Sequence, residues 1–505
     1  MLEFRTTGAP SKAIPSIGRV GATFKWPDAR TGSRPIVRVG RNAWGNGIAD
    51  KAAFLIDGAA YFSALDRALR QARQEIWIIG WDFNPDIRLR PKASSETLGE
   101  LLLSLVDANS QLQVRILVWG MGPIYSGKSL QLFRKNPVSH PQISVRFDFQ
   151  HPLRACHHQK IVTIDGSLAF LGGIDLTARR WDEPDHRVAN PIRRSPDGTP
   201  YEPVHDLQSV VSGKAAQLIG DVARRRWKRA TGEIVEPLSG VSAHWPAVLP
   251  DMLQVPAAIA LTEPGLIGKR GRYEARRLTR DAIACAHRHI YIETQYLASA
   301  SVARALAKRL REPNGPEIAV IVTKSSHGFI EKLTMGNNRD RLIRRLKRAD
   351  FYNRLMVMYA VVPDEDENEH DLVVHSKLII VDDTFVRIGS SNLNNRSEGL
   401  DTECDLALEA DCSAHQQAIS SLRHRLLAEH LGSTSAMVKK AEQASNSMLA
   451  AITSLNTGSR GLREFFVDLN GGTGLFPGTF LVDPRRPYRP LQRLRQRLGR
   501  LLDAF

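Results

Sequence analysis

The sequence carries one short pattern twice, and that duplication narrows the fold more than any other feature. In Val373–Ser397, reading VVHSKLIIVDDTFVRIGSSNLNNRS, the spacing H-x-K-x4-D is filled by His375, Lys377 and Asp382. The stretch CHHQKIVTIDGSLAFLGGIDL repeats the spacing as His158, Lys160 and Asp165, 217 positions earlier. Each copy runs on into a second β-rich stretch ending in Gly172-Gly173 or Gly389-Ser390. Alternation along a strand sends residues i and i+2 to one face, so each imidazole is expected beside an ammonium. Such a face suits a phosphate. One H-x-K alone reads as an ordinary strand with a polar edge; two full copies at matched offsets read as an internal repeat.

The flanking segments repeat as well. Apolar residues at helical spacing (Phe62, Leu65, Leu69, Ala72) predict a helix over Phe62–Arg73, followed by a strand Ile76–Ile79 ending at Gly80. Leu98, Leu101, Leu102 and Leu105 mark a second helix, with strands at Val114–Trp119 and Ile143–Phe149 before the first motif. Ala216–Thr231 reads as a helix closing this half, and polar Arg187–Pro203 as a surface loop. The second half offers helices near Ala275–Ala286, Val302–Leu310 and Arg339–Lys347. Its strands are expected at Ile290–Glu293, Ile318–Thr323 and Leu355–Val361. This alternation predicts an α/β fold: two duplicated α-β-α sandwich halves with mostly parallel sheets, related by a pseudo-twofold axis, with the active site between them.

The expected division is an N-terminal arm over 1–50, a first half over 51–236, a linker over 237–257, a second half over 258–430 and a C-terminal extension over 431–505. The arm is rich in Gly, Pro, Ser and Arg, and the linker is drawn from its prolines. Ser433–Asn456 reads as one helix. After Pro490, LQRLRQRLGRLLDAF places leucines on one helical face and arginines on the other. That helix suits either a membrane interface or docking on the body by its leucines.

With 505 residues, 42% apolar and 7% aromatic, the chain has the composition of a globular protein with sizeable cores. No apolar run approaches the ~20 residues of a membrane span. The opening MLEFRTTGAPSK lacks the apolar core of a secretory signal. Cys156, Cys285, Cys404 and Cys412 are scattered without metal-ligand spacing, as expected of reduced thiols in a cytosolic setting. A net charge of +16 suits nucleic acid, anionic lipid headgroups or plain solubility.

The motif pair resembles the signature of the phospholipase D superfamily. HHQKIVTIDGSLAFLGGIDLTARRWD, YIETQYL (Tyr291–Leu297), VHDLQSVVSG (Val204–Gly213) and GSSNLNNRS look like its true phospholipase D branch, and the similarity runs from about Ala52 to Glu429. The resemblance implies phosphodiester cleavage with no cofactor and no metal. One neutral imidazole attacks phosphorus and forms a phosphohistidine; the other, protonated, gives its proton to the leaving alcohol. It implies His158 as nucleophile and His375 as acid/base, the symmetry of the repeat allowing the two roles to exchange, with Lys160 and Lys377 neutralising the non-bridging oxygens.

Asp165 and Asp382 complete the signature and are read as supports that fix loops. Asp182, Asp401 and Glu403 are candidates for holding the imidazole tautomers. Ser167 and Asn392 fall where the family places phosphate-cleft residues, Ser167 being equally a turn residue. Glu293 and Tyr296 are placed at a strand end facing the cleft, with Tyr296 lining a headgroup pocket or buried as a structural tyrosine. His157 points to the opposite face from His158.

The reading that follows is a phospholipase D acting on phosphatidylcholine-like lipids, with headgroup exchange as an accompanying activity. The alternatives are a phosphatidyltransferase of the cardiolipin-synthase kind, a nuclease, and a membrane scaffold with a dead site. The expected partner is a phospholipid membrane surface, with no obligatory nucleic acid or protein partner and a monomeric state. The expected location is cytoplasmic and peripheral to a membrane, non-classical secretion being compatible with it.

Overall fold

The computed structural model describes residues 35–121, 138–238, 243–265, 270–324, 336–472, 474 and 483–484. The expected amphipathic helix after Pro490 and most of the N-terminal arm lie outside these residues. In chain order the first half comprises β1 (Gly45–Ile56), α1 (Asp57–Leu69), β2 (Glu75–Gly80), α2 (Leu98–Ala108), β3 (Gln113–Trp119), β4 (Ile143–Asp148), β5 (Ile161–Ile164), β6 (Leu168–Gly172), β7 (Val204–His205), β8 (Leu207–Gly213) and α3 (Lys214–Thr231). The second comprises β9 (Met252–Glu263), β10 (Arg272–Tyr273), α4 (Glu274–Cys285), β11 (His289–Thr294), α5 (Ala300–Leu310), β12 (Glu317–Val322), α6 (Asn337–Lys347), β13 (Leu355–Pro363), β14 (Glu369–Asp371), β15 (Val373–Val374), β16 (Lys377–Val381), β17 (Phe385–Gly389), β18 (Glu403–Glu409) and α7 (Ser413–His430). Then follow α8 (Ser435–Ser445), α9 (Met448–Leu455) and β19 (Gly461–Glu464).

Hydrogen-bonded pairs arrange the first half in the order β4-β3-β2-β5-β6-β8-β1. The second half has the matching order β13-β12-β11-β16-β17-β18-β9. Antiparallel pairing of β1 with β9, from Gly45↔Ile259 to Ala52↔Met252, joins the two into one sheet about a pseudo-twofold seam. The duplicated α/β organisation read from the sequence is therefore present.

Three features correct the sequence reading. The sheet is mixed, not mostly parallel: only β2-β3-β4 and β11-β12-β13 run parallel. Among the described residues helices cross over from β2 to β3, from β11 to β12 and from β12 to β13, whereas β5–β6 and β16–β17 are hairpins whose tight turns force antiparallel pairing. Strands β1 and β9 cross the expected boundaries at 50 and 257, so part of both the arm and the linker belongs to the seam. The single helix over Ser433–Asn456 is two helices, broken where Asn446 takes a left-handed φ of 50°. β19, inside the expected extension, pairs with β13.

The local reasons are plain. Every residue of β2 (EIWIIG) is buried, as in a strand covered on both faces by helices. Thr97 opens α2 with a reciprocal capping box to Glu100. Ser299 caps α5 through the Val302 N–H. One apolar core fills each half, and a third runs through both, uniting Phe54, Trp77, Leu207 and Trp227 with Ile259, Tyr291, Leu378 and Leu406.

Candidate active site

The two motifs occupy equivalent places. β5 runs antiparallel to β2 with Ile161 opposite Ile79 and Ile164 opposite Ile76. His158 and Lys160 thus stand beyond the carboxyl end of β2, on the extended lead into β5. Asp165 stands at the other end of the hairpin. Its carboxylate accepts the backbone N–H groups of Arg73, Gln74 and Glu75 at 2.9, 2.7 and 3.0 Å. Asp382 does the same for His287, Arg288 and His289 at 2.7, 2.7 and 2.9 Å. Both aspartates take left-handed backbone, φ 48° and 52°. They fix the entry loops of β2 and β11, as read from the sequence, and stand away from the imidazoles.

Each histidine is held by the opposite half. His158 Nδ1 lies 3.0 Å from the Ser390 carbonyl oxygen and 3.0 Å from Glu403 Oε2. A carbonyl only accepts, so Nδ1 carries the proton and Nε2 keeps its lone pair. His375 Nδ1 lies 2.6 Å from Asp206 Oδ2. Register makes Asp206 and Glu403 equivalents: Gly172 faces Gln208 in β8, and Gly389 faces Asp405 in β18. Gly173 is required here, since a Cβ on it would meet Asp206 Oδ1 at 2.0 Å.

The lysines flank the rings from below. Lys160 Nζ donates to the His158 carbonyl at 2.9 Å and pairs with Asp175 at 2.9 Å. Lys377 Nζ donates to the His375 carbonyl and lies 3.0 Å from His375 Nδ1. At the offset where the first motif has Asp175, the second has the neutral Asn392. Burial, with the nearby charges of Lys160 and Arg180, pushes Lys377 down to about 7. Side-chain exposure is 17% for His158 and 10% for His375 but 2% for Lys160, so the imidazole edges are what solvent reaches.

The electrostatics tie the halves together. Burial, then the ammoniums of Lys160 and Lys377, hold the His158 imidazole well below its ordinary range. Burial and Lys377 do the same to His375. Burial pushes the Glu403 carboxyl up to about 8, against the hydrogen bonds of Ser390 and Ser397. That Lys377 acts on His158 and Lys160 on Lys377 places both motifs in one electrostatic site.

Other candidates fall differently. Ser167 belongs to the β5–β6 turn at the Asp165 end, where its hydroxyl accepts the Ala243 N–H at 2.6 Å; it is a turn residue, not a cleft residue. Glu293 is fully buried and accepts from Tyr291, Ser376, His205 and His430, so it does not face a substrate. The strand-end position that suggested a cleft residue puts it behind the second motif instead. Tyr296 is half-buried beyond the carboxyl end of β11. Asn392 lies just past β17 at the histidine end, and its backbone N–H donates to Ser397 Oγ at 3.2 Å. His157 is pinned between Asp148 and Thr402, away from the site. Of the carboxylates named for tautomer control, Glu403 is the one that touches a motif imidazole, that of His158. Asp182 serves His186 and Arg193, and Asp401 serves Arg396 and the Cys156 N–H.

Sequence reasoning missed Asp206, although it stands in the VHD segment beside His205. It also missed Trp81 and Trp119, whose rings lie 5.7 Å apart at the carboxyl ends of β2 and β3. Carboxyl ends of strands are where open α/β sheets bind ligands. His205 itself is fully buried in an ion-pair cluster with Asp57, Glu293 and Glu429.

Comparison with known proteins divides the chain as the fold does. A family model described as "Phospholipase D" matches residues 68–245, and one described as "Cardiolipin synthase, PLD-like domain" matches 279–425. Phospholipase D alpha 4 of Arabidopsis thaliana is 25% identical over 72% of this chain and 62% of its own length. Phospholipase D1 of Saccharomyces cerevisiae is 24% identical over 75% of this chain and 28% of its own length, so both relatives extend well beyond the shared part. Phosphatidylserine synthase of Haemophilus influenzae Rd KW20 shares the fold with a TM-score of 0.51 and 14% identity, over 76% of this chain and 88% of that one. With one motif-bearing half matched by each family model and phospholipase D relatives aligned over about three quarters of its length, the chain belongs to the phospholipase D superfamily.

Proposed function

We propose that this protein is a phosphodiesterase that cleaves glycerophospholipids of the phosphatidylcholine kind to phosphatidate and free headgroup through a phosphohistidine. The observation that carries the reading is the crossed support of the two imidazoles: Glu403 and the Ser390 carbonyl from the second half hold His158, and Asp206 from the first holds His375. Each ring is fixed at Nδ1 and offers Nε2.

In this reading His158 Nε2 attacks phosphorus, its neutrality at working pH supported by the burial and ammonium charges that depress it. A bound phosphodiester brings negative charge between Lys160 and Lys377. That charge offsets the ammonium field and lets His375 hold the proton it gives to the leaving alkoxide. Water enters next, His375 takes its proton, and the P–N bond to His158 breaks. An alcohol in place of water gives headgroup exchange by the same steps. Trp81, Trp119 and Tyr296 stand where they would line the headgroup. The net charge of +16 suits an anionic membrane surface as the partner. Among the described residues no helix is long and apolar enough to cross a membrane.

A second reading, transfer of a phosphatidyl group to a polyol acceptor, is favoured by the cardiolipin-synthase model over 279–425. One assay separates the two. Phosphatidylcholine and phosphatidylglycerol vesicles are offered without added metal, with and without ethanol. Choline release with phosphatidylethanol supports the first reading. Cardiolipin from phosphatidylglycerol without choline release supports the second, and plasmid nicking with neither lipid turned over sinks both.

A further inference from the structure

Behind His375 lies a cluster that the reaction does not use. Asp57, His186, His205 and Glu429 each offer one ligand atom, all within 4.8 Å of one another. Asp57, His186 and His205 are wholly buried, and Glu429 has 7% side-chain exposure. They come from the start of α1, the loop after β6, β7 and the end of α7.

The outer nitrogen of each histidine is already committed. His186 Nδ1 lies 3.0 Å from Asp182 Oδ2, and Asp182 is fixed in turn by Arg193 and the Val204 N–H. His205 Nε2 lies 3.0 Å from Glu293 Oε2, fixed by Tyr291, Ser376 and His430. A carboxylate accepts, so each outer nitrogen holds a ring proton, and each inner nitrogen is left either to donate a second proton or to offer a lone pair. Those inner nitrogens face carboxylates. His205 Nδ1 is 2.8 Å from Glu429 Oε1 and 3.0 Å from Asp57 Oδ1. His186 Nε2 is 3.1 Å from Glu429 Oε1 and 3.5 Å from Asp57 Oδ2.

Four lone-pair atoms converging in a dry interior repel one another unless something positive lies between them. A shared proton satisfies only part of the cluster, since His186 Nε2 is aligned with Glu429 Oε1 at 3.1 Å. His205 Nδ1 and Asp57 Oδ2 make no aligned hydrogen bond among the described residues despite these short separations. Hydrogen bonds need alignment; a central cation does not. A tetrahedral zinc with bonds of about 2.0–2.1 Å holds its ligand atoms roughly 3.3 Å apart, close to the separations here. Histidines whose second nitrogen is held by a carboxylate are the usual outer shell of such a site.

We propose that Asp57, His186, His205 and Glu429 bind one structural divalent transition-metal ion of the zinc type. The ion braces the second motif. The His205 carbonyl accepts the His375 N–H at 2.7 Å, β7 pairs with β15, and Ser376 bonds the same Glu293 that orients His205. This goes beyond the phosphodiesterase reading and does not depend on it, because its test reads metal content and melting temperature.

The experiment is elemental analysis of the purified full chain after dialysis, then zinc titration of mildly acid-stripped protein followed by thermal melting. The expected result is about one tightly held zinc per chain and a rise in Tm on adding zinc back. Asp57→Asn and His186→Gln should each weaken retention by at least the roughly 10–100-fold that loss of an outer-shell partner costs. Cys412→Ser, which removes a member of the exposed Asp411-Cys412-His415 group, should leave it unchanged. If the two ligand variants fail to fold, the wild-type titration still decides. A folded wild type that retains no zinc and whose Tm ignores added zinc overturns the proposal, as does zinc lost only in Cys412→Ser.

Discussion

His157 and His158 are neighbours with opposite fates. His157 lies between Asp148 and Thr402, where burial and the Arg226 charge drive it down to about 3. His158 turns toward solvent and is held by Glu403. Burial leaves Glu403 with a carboxyl near 8, so its ionisation costs the fold stability as pH rises from about 4.5 to about 8. The isosteric Glu403→Gln has no such cost. Melting curves from pH 5 to 9 should show the variant gaining on the wild type across that window, by on the order of 4 kcal/mol at its end. Parallel curves would contradict it. Asp165→Ala leaves three backbone N–H groups without their acceptor. It should lower stability by about 2–4 kcal/mol, judging from the cost of unmet buried donors, while turnover at low temperature stays within about threefold. A turnover loss matching that of His158→Ala would return Asp165 to the chemistry. The histidines and lysines were legible because their spacing is local. Asp206 was not, because it follows the first motif yet serves the second, and chain offset alone left Ser167 open between cleft and turn because it ignores the hairpin. The Asp57–Glu429 cluster draws one ligand from each of four distant segments, so no spacing announces it.

At the scale of elements, apolar runs such as IWII in β2 and IAVIV in β12 were legible as strands flanked by helices. The long seam strands were not. β1 is rich in alanine and broken by Asp50 and Lys51, and β9 carries Pro256. Pro256 is tolerated because the β18 pairing with β9 stops at Leu408↔Ala257, leaving that edge of β9 without a strand partner at Pro256 among the described residues. Helix α3 does more than cover the sheet. Arg226 on it is buried, binds Asp148 at 2.8 Å and Gln159 at 3.0 Å, and so steadies the lead into β5. Arg226→Met leaves the buried Asp148 charge without its guanidinium partner and should cost about 3–5 kcal/mol in denaturant unfolding. A loss below about 1 kcal/mol would show that the ion pair does not hold this lead in place.

At the scale of the whole molecule the two halves are one body. The β1–β9 seam, the core shared across it and the exchanged carboxylates all cross the pseudo-twofold. A protease site introduced between Leu238 and Ala243 should therefore give a cut chain whose fragments co-elute and keep their turnover; separation into two independent pieces would contradict this. The central claim is that His158 and His375 act in sequence on one phosphorus. Phosphatidyl-p-nitrophenol tests it most directly, because its leaving group needs no proton from His375. His375→Ala mixed with this substrate should release about one burst equivalent of p-nitrophenolate and stall, with the phosphatidyl adduct mapped by mass spectrometry to His158. No burst, an adduct on another residue, or sustained wild-type turnover would contradict the account.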